Sequence, residues 1–270
     1  MSGSSTPSSA TTSRELPTPE HPGEPATVLF SGGSDSTLTA SLYADRGFLV
    51  HLVTYRHRIM RFEEKCLRSL ASLRERHGDR FTHSFVTMNP LFDRLFFKPL
   101  ASDLRRWGTY AMPMCCGSCK LAMHVSTILY NRRHGIRHAA DGSNIELSEL
   151  FPEQMPGVLA LYGELYARYG IAYANPVFDV RRSDHQLFER GVTRRRDYKQ
   201  QVIVYSNQHS CFAGTLLHAY TLGLAVPLFG RSSDPETAEQ YVRAKMDEVS
   251  VPYLDEELSA CPAADCPSSV

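Results

Sequence analysis

The feature that most limits what this chain can become is a glycine-serine turn, Ser31-Gly-Gly-Ser-Asp-Ser-Thr37, set directly behind the apolar run Ala26-Thr-Val-Leu-Phe30. A short continuous apolar run marks a strand buried on both faces, and such strands belong to parallel sheets covered by helices. Ser36 to Asp45 follows with helical spacing through Leu38 and Leu42, and Gly47 ends it. Gly32 and Gly33 let the backbone bend tightly and approach a ligand without Cβ interference. The helix behind them opens with spare N–H groups and the positive end of its dipole, so an anion is favoured there. Ser31, Ser34, Ser36 and Thr37 can add hydroxyl donors, and Asp35 can hold a Mg²⁺ that bridges phosphates. A serine cap on an ordinary helix is the plainer account of an isolated glycine pair. The strand immediately in front favours the phosphate-binding account.

Alternation continues downstream. Phe48–Tyr55 reads as a strand, Phe62–His77 as an amphipathic helix, and Phe81–Met88 as a third strand. Lys120–Arg133 reads as a helix closed by Gly135, and Ile136–Ala140 as a fourth strand. The fold class this predicts is α/β, a parallel sheet with helices on both faces. From Glu146 to about Arg196 the pattern turns helical and irregular, with a Tyr-rich helix over Val158–Tyr169. The expected organisation is a disordered Ser/Thr/Pro/Gly-rich tail over 1–25, a nucleotide-binding domain over 26–145, a mainly helical completion of the active site over 146–258, and a flexible tail over 259–270.

Charge and cysteine content narrow the function classes. With 29 basic and 29 acidic side chains the chain is formally neutral, which argues against broad electrostatic binding of nucleic acid. Local basic faces remain at Arg56, Arg58 and Arg61, at Arg105 and Arg106, at Arg132, Arg133 and Arg137, and at Arg194–Arg196 with Lys199. Solvated helix faces balanced by nearby acids explain any one of these equally well. No run approaches the roughly 18–20 apolar residues of a membrane helix, and Met1–Pro25 has no apolar leader, so a cytoplasmic protein with no membrane partner is expected. Seven cysteines without a leader speak against a disulfide framework and leave thiols for chemistry or metal.

Cys116-Gly-Ser-Cys119 heads the predicted 120–133 helix, where the dipole favours thiolates. Cys211 follows about ninety residues later, with His209 just before it. From the residues alone the pair is a redox couple, half a zinc site or a coincidence. Cys66 reads as a core residue, Cys261 and Cys266 as tail residues, and His51 and His218 as structural groups. Asp141-Gly-Ser-Asn144 stands just after the fourth strand, where open α/β sheets bind ligands, which makes Gly142 a candidate contact.

Ser31-Gly-Gly-Ser-Asp-Ser36 resembles the Ser-Gly-Gly-x-Asp-Ser signature of the PP-loop ATP pyrophosphatase superfamily, whose members carry an adenine-nucleotide α-hydrolase-type fold. The resemblance implies ATP with its phosphates on Ser31–Thr37, Mg²⁺ near Asp35, and adenine against the backbone at Val53–Tyr55, around Thr54. It also implies cleavage between the α and β phosphates, which adenylates a carbonyl oxygen. Asn175-Pro-Val-Phe-Asp179 resembles a segment that walls the active site in several such enzymes. The PP-loop, the Cys-x-x-Cys and the later single cysteine together resemble the tRNA 2-thiocytidine synthetase group. That likeness implies a 4Fe–4S cluster on Cys116, Cys119 and Cys211, one iron being left open to sulfide, with Cys115 as a stand-in for Cys116. Implied catalytic residues are Asp35, Cys119 and Cys211. Implied partners are tRNA or a small nucleoside-like substrate, a sulfide or persulfide donor, and a second copy of the chain. Three rival readings stand beside it: persulfide chemistry closed by a disulfide, zinc on the three cysteines with His209, and a ligase that joins an amine to an adenylated carboxylate. A non-enzymatic, nucleotide-gated redox sensor is the fourth.

Overall fold

The computed structural model describes residues 14–61, 63–108, 114–148, 151–194, 210–211, 216 and 234–260. Arg195, Arg196, Lys199, His209, His218, Cys261 and Cys266 lie outside the described residues.

In chain order the elements are β1 (Pro25–Leu29), α1 (Ser34–Asp45), β2 (Leu49–Arg56), β3 (Met60–Arg61), α2 (Cys66–His77) and β4 (Phe81–Thr87). Next come α3 (Asn89–Phe92), which runs on through a π turn at Asp93–Phe97, then α4 (Leu100–Trp107), α5 (Met114–His134) and β5 (His138–Ala140). Two 3₁₀ turns, Ile145–Leu147 and Pro152–Gln154, precede α6 (Pro156–Arg168), β6 (Ala172–Ala174), α7 (Ser183–Glu189) and β7 (Ser210–Cys211). The chain ends its described part with α8 (Pro235–Lys245), a π turn at Met246–Ser250 and α9 (Val251–Ala260).

Five strands form one parallel sheet in the order β4-β2-β1-β5-β6. Along β1 the side chains alternate between two cores, as the two-residue period of a strand requires. Ala26 and Val28 join the core under α1, α2 and α7, with Leu38, Tyr43, Leu73 and Leu187. Leu29 joins the opposite core, built on Val125, Ile128, Tyr162 and Tyr166 of α5 and α6 and on Tyr241 of α8. The expected α/β class with helices on both faces is therefore the one observed. β6 falls inside the stretch expected to be helical, so the sheet extends past residue 145. Asn89–Trp107, to which the sequence reading assigns no element, is largely helical. Among the described residues no helix is long and apolar enough to cross a membrane.

β1 leads through α1 to β2 on one side, whereas β5 lies on its other side, so the chain's winding reverses between β1 and β5. In open α/β sheets that reversal opens a crevice at the carboxyl ends of the two strands. The Ser31–Thr37 turn and the Asp141–Asn144 segment are the two stretches that leave those ends.

A buried polar chain anchors the start of α5. The Ser118 hydroxyl meets Tyr241 OH at 3.1 Å, Tyr241 OH donates to Asp103 Oδ2 at 3.2 Å, and Lys245 Nζ donates to Asp103 Oδ1 at 2.8 Å. Asp103 and Lys245 are both buried, so neither charge can turn to water. Removing one member of such a pair strands the other. We expect Lys245→Met to cost about 3–5 kcal/mol in urea unfolding and Asp103→Leu added to it to restore most of the loss. A single variant as stable as the parent would contradict this account of the anchor.

Candidate functional site

The turn after β1 is built from its own hydroxyls. Gly32 adopts φ +78°, a left-handed conformation that glycine reaches at low cost. Ser36 Oγ and Thr37 Oγ1 both donate to Gly33 C=O, at 3.1 and 2.8 Å. Ser31 N–H and Ser31 Oγ meet Ser36 Oγ at 3.3 and 3.2 Å, and Ser69 of α2 holds Gly32 C=O at 2.8 Å. The hydroxyls of Ser36 and Thr37 thus shape the turn. The first helical bond is Thr37 N–H to Gly33 C=O, so the N–H groups of Ser34, Asp35 and Ser36 precede it. Gly33 supplies no side-chain cap, which leaves this helix start suited to an anion.

Asp35 stands in the first turn of α1, and its Oδ1 accepts from Ser183 Oγ at 2.5 Å. Burial pushes the Asp35 carboxyl up, Ser183 pulls it back, and Glu146 and Asp184 add to the rise. A divalent cation would offset that unfavourable setting, so the residue fits the expected Mg²⁺ role.

The Asp141–Asn144 segment is pressed onto the turn. A methyl group on Gly142 would sit 2.5 Å from Ser36 N and 2.7 Å from Asp35 C, so only glycine allows this approach. Asp141 is fully enclosed and heavily bonded: Ser143 N–H and Oγ donate at 3.0 and 2.9 Å, Asn175 Nδ2 donates to Oδ1, and Lys120 Nζ lies 2.5 Å from Oδ2. Burial alone would raise this carboxyl, but the Lys120 ammonium beside it holds it below the ordinary value. Asn144 ties the 175–180 segment down through Val177 C=O and Val180 C=O, at 3.3 and 2.7 Å. The Asn175–Asp179 wall expected from sequence is placed against the site by Asn144 and Asn175.

Strand alternation sorts the residues at the end of β2. Val53 C=O accepts from Phe30 N–H on the β1 side, and Arg56 C=O accepts from Met88 N–H on the β4 side. Thr54 therefore turns its backbone to β4 and Tyr55 turns its backbone to the β1 side, past the point where β1 has ended. The Thr54 hydroxyl is enclosed, donating to Phe30 C=O at 2.7 Å and meeting His83 Nε2 at 2.9 Å and Cys66 Sγ at 3.5 Å. Cys66 is buried, as its place in an amphipathic helix suggested.

Cys116 and Cys119 fall within the first turns of α5, which begins at Met114 rather than at Lys120. Cys211 enters by the short antiparallel pairing of β7 with β3, opposite Met60. Cys115, Cys116, Cys119 and Cys211 act on one another electrostatically, and Glu153 acts on the first three. The fold thus gathers thiols that lie far apart in sequence. Burial, reinforced by these neighbours, pushes the Cys115 thiol up to about 12 and those of Cys116 and Cys119 well above their ordinary value. The thiolate-favouring effect expected of the helix start is outweighed. Among the described residues no three His, Cys, Asp or Glu side chains stand close enough together to hold one metal ion.

Several functional groups escaped sequence reasoning. His57, buried just beyond β2, places Nε2 3.3 Å from Cys119 Sγ and packs its ring on Phe92 at 4.5 Å. Lys120 joins the thiol helix to Asp141, and Ser183 reaches Asp35 from 148 residues further along the chain. The available signal was position at the carboxyl end of a strand, which marks His57 but says nothing of Lys120 or Ser183. The basic clusters are largely paired: Arg56 with Glu64, Arg58 with Asp93, Arg106 with Glu248, Arg133 with Glu257, Arg137 with Glu20 and Arg194 with Glu75.

The fold and turn define an open, doubly wound α/β protein with an uncapped helix start at the crevice of its winding reversal. No protein-family model matches the chain, and no curated protein matches its sequence. Among solved structures, it is similar to a predicted subunit of tRNA methyltransferase from Methanocaldococcus jannaschii, at 20% identity and TM-score 0.38 over 62% of this chain and 75% of that one. It is also similar to a 4-thiouridine synthetase–RNA complex with bound ATP, at 16% and 0.47 over 87% and 53%, so it spans about half of that protein. A third is NMN synthetase from Francisella tularensis, at 11% and 0.43 over 84% and 85%.

We expect Gly142→Ala to weaken ATP binding at least about tenfold, a 1.4 kcal/mol effect, because the new methyl meets backbone that cannot step aside. Calorimetric titration showing unchanged affinity would contradict the close approach. A second expectation concerns acid. Burial pushes His83 down to about 4 and His124 down to about 3. Both stay neutral when folded yet take a proton when unfolded below about pH 6.5. The unfolded state then binds more protons, so stability is full above that pH and falls as pH drops toward 4. Urea midpoints should be lower at pH 5 than at pH 7, with a smaller drop in His83→Gln. Equal drops in parent and variant would contradict the assignment to His83.

Proposed function

We propose that this chain is a PP-loop ATP pyrophosphatase, an AMP-forming enzyme that thiolates a nucleobase carbonyl in tRNA or in a nucleoside-like metabolite. The observation that carries the reading is the Lys120–Asp141 ion pair, 2.5 Å long and largely buried. It fixes the helix bearing Cys116 and Cys119 to the segment that Gly142 presses onto the phosphate turn. Nucleotide chemistry and thiol chemistry then share one edge of the sheet.

In this reading ATP lies across the winding reversal. The backbone of Tyr55 faces the adenine, the N–H groups of Ser34, Asp35 and Ser36 receive the departing phosphates, and Asp35 holds Mg²⁺. The acceptor's carbonyl oxygen attacks the α-phosphorus and the bond to the β-phosphate breaks. Pyrophosphate leaves toward the helix start, where fixed dipoles meet the charge that develops. The acceptor carbon now carries AMP as its leaving group.

A 4Fe–4S cluster would take one thiolate on each of several irons, and Cys116, Cys119 and Cys211 suit it in kind. No three candidate ligands among the described residues stand at the spacing of a single-ion site, and no step is derived through a cluster. Sulfur is instead carried as a persulfide on Cys119 or Cys211, charged by an external persulfide donor. Its terminal sulfur attacks the activated carbon, and AMP leaves with the carbon–oxygen electron pair. The second thiol attacks the carrier cysteine's sulfur, which frees the thiolated product and closes a disulfide. An external thiol reductant reopens it.

Asp35→Asn is expected to abolish pyrophosphate release while leaving the fold intact, and Cys119→Ser to keep adenylation but lose oxygen-to-sulfur exchange. A coupled pyrophosphate assay with mass spectrometry of the acceptor reads both. Full pyrophosphate release by Asp35→Asn would contradict the ATP assignment. Thiolated product from Cys119→Ser would contradict the thiol route.

A further inference from the structure

Glu153 is the buried acid that the chemistry above leaves unused. It sits in the Pro152–Gln154 turn, packed between α5 and α6 and only 9% exposed. Its Oε2 is buried and has no hydrogen-bond partner among the described residues. Leaving such an atom unsatisfied is costly, and folded proteins seldom do so without a use. The turn that carries it is held in place. Proline opens the turn, and the next residue, Gln154, accepts from Asn144 N–H at 2.9 Å, which locks the turn to the segment beside the phosphate loop.

The surroundings of this carboxyl are specific. Cys115, Cys116 and Cys119 and the enclosed phenol of Tyr162 all register its charge. The cation that acts on it is Lys120, whose ammonium is held by Asp141. Burial without a dedicated cation pushes the Glu153 carboxyl up to about 7. Cys116, Cys119 and Lys120, which interact with it electrostatically, are themselves partly exposed.

We propose that Glu153 and the thiols around it form the acceptor subsite, in which the Glu153 carboxyl hydrogen-bonds the polar edge of an uncharged nucleobase and excludes carboxylate acceptors. The proposal rests on the AMP-forming reading and deepens it. A nucleobase brings N–H and C=O groups that answer a lone carboxyl oxygen. A carboxylate acceptor would meet an acid and a set of thiols, with Lys120 already engaged. The subsite therefore favours base modification over the amine-to-carboxylate ligase.

The test compares the full-length parent with Glu153→Gln and Glu153→Leu, each saturated with α,β-methylene-ATP and titrated calorimetrically with cytidine, uridine and orotate. The parent should bind at least one of the two nucleosides more tightly than orotate. Glu153→Gln, which keeps hydrogen-bonding capacity, should stay within about threefold of the parent, whereas Glu153→Leu should weaken binding at least about tenfold. Both variants should bind the nucleotide analogue as the parent does, and Glu153→Leu should melt no earlier, since it removes an unsatisfied buried group. Equal nucleoside binding by Glu153→Leu, no nucleoside binding by the parent, or a preference for orotate would each overturn the subsite. A parent that releases pyrophosphate yet gives one of those results loses only the subsite. A parent that fails to bind the analogue loses the nucleotide reading and the subsite with it.

Discussion

The arrangement at the sheet's carboxyl edge depends on one buried charge, Asp141. Its oxygens accept from Ser143 and Asn175 and pair with Lys120, so two distant stretches of chain are drawn to the segment that carries it. Burial makes such a group expensive unless each lone pair is answered, and here the partners answer them. Once Asp141 is fixed, Gly142 must lie on the backbone of Asp35 and Ser36, and α5 must bring its thiols to the same edge. The turn after β1, the thiol helix and the wall at 175–180 meet at that single site.

A second constraint is geometric. The winding reversal between β1 and β5 leaves a crevice at the ends of two neighbouring strands, and period-two alternation turns the Tyr55 backbone toward it. Neither effect needs a particular side chain. The chain's chemistry is layered on this scaffold by residues from distant stretches, Ser183 toward Asp35 and Cys211 toward the β3 strand. Fold and chemistry are therefore separable.

Much of this was legible in the amino-acid order. β1, β2, β4 and β5 announce themselves as apolar runs, and two glycines announce the turn after β1. β6 did not, because Ala172-Tyr-Ala174 is too short to show a period and gains its place only by pairing with β5. The helical stretch from Asn89 to Trp107 was hidden by Pro90 and Pro99, which sequence reads as breaks although the structure uses them at helix starts. Among the site residues, Asp35, Gly142 and the cysteines carried local signals. Lys120, Glu153 and His57 did not, since what makes each unusual is a partner, or a missing partner, supplied by another part of the chain. The thiols illustrate the limit: a helix start favours thiolates, yet the packing around Cys116 and Cys119 reverses the effect.

The central claim is that the turn at Ser31–Thr37 receives the β and γ phosphates together and leaves AMP on an acceptor. Phosphorus NMR of the protein turning over ATP with Mg²⁺, bulk tRNA and a persulfide donor reads this directly. The account predicts that ATP signals give way to AMP and pyrophosphate in equal amounts. Conversion to ADP and inorganic phosphate would contradict it.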